Sequence, residues 1–209
     1  MSSSSYDFLN SAPVIPVIAI DNLEHAVPLA EALVAGGIVN LEITLRTEHG
    51  LDAIRLINQQ VKGAHVGVGT VCNAREFDAA IDAGAKFVVS PGQSNALFER
   101  ARSHKTPFLP GAVTATEVMA AKEAGFKILK FFPAGTSGGA AAVKALGGPF
   151  ADLQFVPTGG ITLNNAESYL SLSNVRAVGG TWLTPADAVI DKRWDTITQI
   201  ALKASQLGA

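Results

Sequence analysis

The chain has one cysteine, Cys72, in 209 residues, so no disulfide can form within it. That scarcity fits a reducing compartment. Charge is also scarce: charged residues make up 16%, and the formal net charge is -2. A weakly acidic chain is a poor partner for nucleic acid or an anionic membrane, and neither is expected. No apolar run is long enough to span a bilayer. The start, Met1-Ser2-Ser3-Ser4-Ser5, lacks the basic and apolar segments of a signal peptide. We expect a frayed start leading into a short helix near Tyr6–Asn10, and cytoplasmic residence. The histidines His25, His49, His65 and His104 are scattered, and no His/Asp/Glu cluster has metal-ligand spacing. No metal and no cofactor is therefore expected. No linker or break in composition divides the chain.

What is abundant is apolar: hydrophobic residues make up 48%. A large buried core follows, and disorder does not. The apolar residues fall into two alternating textures. Short β-branched or apolar runs occur at Val14–Ile20, Val39–Leu45, His65–Thr70, Lys86–Ser90, Pro107–Leu109, Lys127–Phe132, Leu153–Pro157 and Val175–Val178. Between them lie alanine-rich stretches of helical period. In Leu23–Ala35, the residues Ala26, Leu29, Ala30, Leu33 and Val34 form one stripe. Others span Glu48–Val61, Asn73–Ala83, Ser94–Ser103, Ala115–Ala124, Gly138–Leu146, Asn164–Leu172 and Trp194–Leu207. Thr114-Ala115-Thr116-Glu117 reads as a capping box. Alternating strands and helices predict a parallel sheet with right-handed crossovers. Eight such units predict a single (β/α)8 barrel domain over residues 1–209, with a short N-terminal helix. An open doubly wound sheet is the alternative. The Gly-x-Gly-x-x-Gly turn common after its first strand is missing here.

Against this background one lysine stands out. Lys130 lies inside the apolar run Phe126-Lys127-Ile128-Leu129-Lys130-Phe131-Phe132. Lysine is rarely buried without a reason. Burial disfavours an ammonium, and a free amine can attack a ketone to form a Schiff base. The plain alternative is a side chain that snorkels to water. In barrels of this kind the active site lies at the C-terminal strand ends. There, Glu42, Thr44 and Arg46 share one face of their strand. Their plain reading is a structural Glu42–Arg46 ion pair. Gly67-Val68-Gly69-Thr70 ends the third strand, where its glycines would admit a ligand close to the backbone. Ser90-Pro91-Gly92 turns at the same rim. Gly159-Gly160 and Gly179-Gly180 follow the seventh and eighth strands, the usual place for a phosphate. An amine, a carboxylate, a guanidinium, a hydroxyl and a phosphate cradle suit a Schiff-base aldolase for a phosphorylated 2-keto acid.

The segments Leu41-Glu42-Ile43-Thr44-Leu45-Arg46-Thr47, Val68-Gly69-Thr70-Val71, Ser90-Pro91-Gly92, Lys130-Phe131-Phe132-Pro133-Ala134, Pro157-Thr158-Gly159-Gly160-Ile161 and Val178-Gly179-Gly180-Thr181-Trp182-Leu183 resemble the 2-keto-3-deoxy-6-phosphogluconate and 4-hydroxy-2-oxoglutarate aldolase family. The resemblance runs in order from about Pro13 to the last helix. It implies a class I aldolase, a homotrimer of (β/α)8 barrels, acting on a small phosphorylated 2-keto acid without a cofactor. It makes Lys130 the Schiff-base lysine and Glu42 the general acid/base. Arg46 and Thr70 would bind the pyruvyl carboxylate, with Pro91 and Phe132 lining the pocket. Gly159, Gly160, Gly179, Gly180 and Thr181 would bind phosphate. Thr181 departs from the serine expected there. Asp21, in Ala19-Ile20-Asp21-Asn22, stands where some relatives carry a basic residue. Both departures bear on substrate preference rather than on reaction class. The rival readings are another phosphate-binding barrel enzyme, such as an isomerase or a thiamin-phosphate-synthase-like transferase, and a barrel that binds a metabolite without turnover.

Overall fold

A computed structural model describes residues 3–208 of the chain. Met1 and Ser2, the beginning of the expected frayed start, lie outside the described residues. The strands are β1 (Val14–Ile18), β2 (Asn40–Thr44), β3 (His65–Gly69), β4 (Val88–Val89), β5 (Phe108–Leu109), β6 (Ile128–Phe131), β7 (Gln154–Pro157) and β8 (Val178–Gly180). The helices are α1 (Ala26–Ala35), α2 (Gly50–Gln60), α3 (Ala74–Asp82), α4 (Asn95–Ser103), α5 (Ala115–Glu123), α6 (Gly139–Leu146), α7 (Ala166–Leu170), α8 (Ala186–Ile190) and α9 (Trp194–Ser205). Helix α8 has no counterpart in the sequence reading. Five residues after Pro185 are too few to show a helical period.

All strand pairing is parallel. Six strands form one sheet in the order β5-β4-β3-β2-β1-β8, and β6 pairs with β7. Single bridges, Gly111↔Lys130 and Thr158↔Gly179, run between these two sheets. Helix α5 is capped as the sequence predicts: Thr114 and Glu117 form a capping box. One correction concerns β8. It was expected at Val175–Val178 with Gly179-Gly180 after it. Instead Val14↔Val178, Ile15↔Gly179 and Pro16↔Gly180 are register partners, so both glycines lie within the strand. Pairing with β1 decides this, and glycine's weak strand propensity does not.

Two apolar clusters divide the core. One lies between the strands and the helices and includes Leu33, Ile43, Ile54 and Phe155. The other contains Ile15, Phe87, Val89, Leu109, Ile128 and Val156, on the opposite strand face. A 3₁₀ helix over Ser3–Asn10 closes the N-terminal end of that second cluster. It begins three residues earlier than the helix expected at Tyr6–Asn10. Phe8 stacks on Phe87 at 4.7 Å. Tyr6 Oη donates to the Phe108 carbonyl at 2.8 Å, and Asn40 Nδ2 donates to the Phe8 carbonyl at 2.8 Å. With that end plugged, the C-terminal strand ends are left open to ligands.

Candidate active site

Lys130 shares a strand face with Ile128 and points among the second cluster, as period-two alternation requires. It is 5% exposed, and Glu42 on β2 is 3% exposed. Their register partners are Val156 for Lys130 and both Val17 and Gly67 for Glu42. Lys130 Nζ lies 3.1 Å from Glu42 Oε1. An ammonium and a carboxylate this deep hold each other, since either alone would be costly. Lys130 Nζ also sits 5.3 Å from the centre of the Phe132 ring. Lys127, three residues earlier, is exposed and pairs with Asp152 at 2.8 Å. Strand parity thus separates two lysines of one run.

The alternative Glu42–Arg46 pair does not form. Arg46 lies just beyond β2, where its Nε donates to Thr44 Oγ1 at 3.2 Å. Thr44 is fully buried, and its hydroxyl donates to the Ile18 carbonyl at 2.9 Å. The guanidinium is held through Nε, and its two terminal nitrogens remain available. Thr70 sits at the end of β3 with φ of 64°. A β-branched residue rarely adopts that conformation, and such strain gathers at functional sites.

A cavity of about 220 Å³ gathers Arg46, Thr70, Pro91, Lys130 and Phe132 around one opening. Gly159, Gly160, Gly180 and Thr181 form its opposite side. Glu42 stands behind Lys130 rather than on the cavity wall. Gly159 and Gly160 have φ of 95° and 74°, conformations suited to glycine. Gly135 N donates to the Gly159 carbonyl at 2.8 Å, and Asn165 Nδ2 donates to the Gly160 carbonyl at 3.0 Å. The amides of Gly159 and Gly160 donate to no backbone carbonyl of the described residues. Free amides beside a cavity suit an anion.

Three glycines differ from the sequence reading. A Cβ on Gly67 would fall 2.4 Å from the Phe87 ring, and one on Gly69 would fall 2.2 Å from Glu42 Oε1. One on Gly179 would fall 2.3 Å from Thr158 Oγ1. These glycines make room for protein side chains, not for a ligand, and Gly179 does not line the cavity. Thr158, Val17 and Ile161 also line the cavity, beyond the residues that the sequence reading names for the site. For Val17 and Thr158 the signal was present as inward strand parity. No group of three or more potential metal ligands occurs among the described residues.

A buried lysine–carboxylate pair beneath a cavity lined by a guanidinium and free backbone amides, at the C-terminal ends of parallel strands, defines an α/β enzyme built for amine chemistry on an acidic carbonyl compound. A family model described as KDPG and KHG aldolase matches residues 6–200. The chain belongs to this family; it is a class I aldolase, a carbon–carbon lyase. The 2-dehydro-3-deoxy-phosphogluconate aldolase of Dickeya dadantii is 48% identical, over 97% of this chain and 95% of its own length. The KHG/KDPG aldolase of Escherichia coli K12 is 46% identical over 97% and 95%. A solved KDPG aldolase from Legionella pneumophila, with pyruvate captured as a covalent carbinolamine intermediate, superimposes with a TM-score of 0.93 at 41% identity. That match covers 95% of this chain and 96% of the other. No helix among the described residues is long and apolar enough to cross a membrane.

Proposed function

We propose that the enzyme cleaves 2-keto-3-deoxy-6-phosphogluconate to pyruvate and glyceraldehyde 3-phosphate through a Schiff base on Lys130. The observation that carries this is the 3.1 Å contact of Lys130 Nζ with Glu42 Oε1 at the floor of an otherwise cation- and amide-lined cavity. Lys130 passes a proton to Glu42, 3.1 Å away, and the resulting amine attacks the C2 carbonyl. Glu42 passes protons as the carbinolamine forms and loses water. The protonated imine then withdraws electrons from the C3–C4 bond as the C4 hydroxyl loses its proton. Aldehyde departs, the enamine is protonated at C3, and water releases pyruvate. Arg46 and Thr70 hold the pyruvyl carboxylate, and Pro91 and Phe132 form the walls. Gly159, Gly160, Gly180 and Thr181 receive the phosphate. 4-Hydroxy-2-oxoglutarate, which has no phosphate, would use the inner part of the same cavity. The chemistry needs no cofactor, because the protein's own iminium is the electron sink.

The same reading makes residues 1–209 one domain, a closed (β/α)8 barrel. The Gly111↔Lys130 and Thr158↔Gly179 bridges support closure. It also makes the enzyme a cytoplasmic homotrimer, a state resting on the family resemblance and testable by sedimentation equilibrium. The decisive experiment for the chemistry is borohydride reduction with pyruvate, followed by peptide mapping. The reduced pyruvyl group should lie on Lys130 and vanish in Lys130→Met. Labelling at Lys127 instead would overturn the assignment.

A further inference from the structure

The loop Thr158-Gly159-Gly160-Ile161-Thr162 is held by three successive carbonyls. Ala134 N donates to the Thr158 carbonyl at 2.8 Å, and Gly135 N donates to the Gly159 carbonyl at 2.8 Å. Asn165 Nδ2 donates to the Gly160 carbonyl at 3.0 Å. In a trans peptide the next residue's N–H points opposite to the carbonyl. Catching these three carbonyls therefore aims the amides of Gly159, Gly160 and Ile161 the other way. All three residues line the cavity that Lys130 also lines. None of the three amides donates to a backbone carbonyl of the described residues. Positive φ at Gly159 and Gly160 curls the chain so that successive N–H groups converge, as in an anion nest.

Two of the three anchors are backbone amides of the connection after β6. The third is a side chain. Asn165 stands just before α7, yet its side chain caps nothing in that helix. It reaches back into the loop instead. Besides holding the Gly160 carbonyl, its Oδ1 accepts from Thr162 N at 2.8 Å. One carboxamide thus bridges a carbonyl and an amide two residues apart. Between those two contacts lies the peptide that carries the Ile161 N–H.

We propose that Asn165 is a positioning residue for the substrate's phosphate. It orients the Ile161 amide as a third donor beside those of Gly159 and Gly160. The inference rests on the phosphate reading above and deepens it. Asn165 acts through the loop and touches neither the phosphate nor the reacting atoms. Without its carboxamide the Gly160–Ile161 peptide is free to turn, and the phosphate itself must then order the third donor. The pyruvyl end of the site, at Lys130, Arg46 and Thr70, lies on the other side of the cavity and does not depend on Asn165.

Two variants test this. Asn165→Ala removes both contacts and adds no charge. Asn165→Asp keeps the acceptor for Thr162 N but cannot donate to the Gly160 carbonyl. Each is compared with the wild type in three measurements: KM for 2-keto-3-deoxy-6-phosphogluconate, inhibition by inorganic phosphate, and the pyruvate concentration for half-maximal borohydride trapping. A fourth follows the amide resonances of the nitrogen-15-labelled enzyme as inorganic phosphate is added. In the wild type, phosphate should inhibit and should shift the Gly159, Gly160 and Ile161 amides. Both variants should raise KM and the inhibition constant of phosphate about tenfold, the scale of one hydrogen bond to a charged group. The Ile161 amide should stop responding. The trapping constant should change by less than about twofold, as for a substitution remote from that end of the site. Wild-type phosphate binding in Asn165→Asp would overturn the role of the Gly160 contact. Pyruvate trapping weakened as much as phosphate binding would make Asn165 a general support of the fold and overturn the proposal equally. A wild-type enzyme that phosphate neither inhibits nor shifts would instead overturn the phosphate reading itself.

Discussion

Gly69 is a glycine because Glu42 occupies the space its side chain would need. A Cβ there would lie 2.2 Å from Glu42 Oε1 and 2.7 Å from Glu42 Cγ. The two residues sit on adjacent strands, where Thr44 is the register partner of Gly69. The carboxylate beside Lys130 is thus aimed partly by an absence on β3.

Gly69→Ala should displace that carboxylate while adding only one methyl group. Turnover should fall about a hundredfold, within the usual contribution of a placed acid/base group. Circular dichroism should show a retained fold. Wild-type turnover in Gly69→Ala would mean that Glu42 can shift without consequence, and that its contact with Lys130 is not used.

Thr44 should act as a positioning residue for Arg46. Thr44→Val keeps the shape and removes the hydroxyl that accepts from Arg46 Nε. The KM for substrate and the pyruvate concentration needed for half-maximal trapping should both rise about tenfold, the value of one hydrogen bond to a charged group. kcat should fall less than kcat/KM, and Thr44→Ser should restore both constants. A fall in thermal stability with unchanged KM would reduce Thr44 to a packing role.

The phosphate cradle is best tested at Gly160. The residue is exposed and has φ of 74°, with Gly135 Cα 3.3 Å from the place of a Cβ. Gly160→Ala should raise KM for the phosphorylated substrate and leave pyruvate trapping unchanged. Remote binding energy also positions the reacting centre, so kcat should fall as well. Gly180 is a poorer choice. A Cβ there would lie 1.6 Å from Trp182 Cζ3, so a substitution would disturb packing and phosphate together.

Tyr6 should make stability fall at alkaline pH. Burial pushes its phenol up from 10.0 to about 12, against the opposing hydrogen bond to Phe108. The folded state keeps the proton above pH 10, where the unfolded chain loses it. The stabilisation is therefore complete below pH 10 and lost between pH 10 and about 12. In that window the unfolding free energy should fall by ~1.4 kcal/mol per pH unit from this group. Urea unfolding at pH 9 and pH 11 should show the difference, and Tyr6→Phe should remove this component. An identical pH slope in Tyr6→Phe would assign the loss to other groups.

Much of this was legible from residue order because two periods carry it. The 3.6-residue stripe of Leu23–Ala35 and the two-residue alternation of β2 and β6 follow from local backbone geometry. So does the inward parity of Lys130 and the outward parity of Lys127. Boundaries were less legible. Nothing local distinguishes Gly179-Gly180 as strand from the same pair as loop; pairing with Ile15 and Pro16 decides it. The five residues of α8 carry no period at all, yet three of them, Ala186, Val189 and Ile190, wall a cavity of about 320 Å³ beside the candidate site.

By itself the sequence determined the succession of strands and helices, the family, and which polar side chains face inward. Those properties depend on side-chain type and on spacing along the chain. Tertiary structure alone decided which inward groups meet. Glu42 and Lys130 are 88 positions apart, and their contact depends on where β2 and β6 stand relative to each other. Glu42 could equally have paired with Arg46 on its own strand face. Burial decided otherwise: Lys130 is enclosed and needs a counter-charge, whereas Arg46 reaches solvent and is held by Thr44.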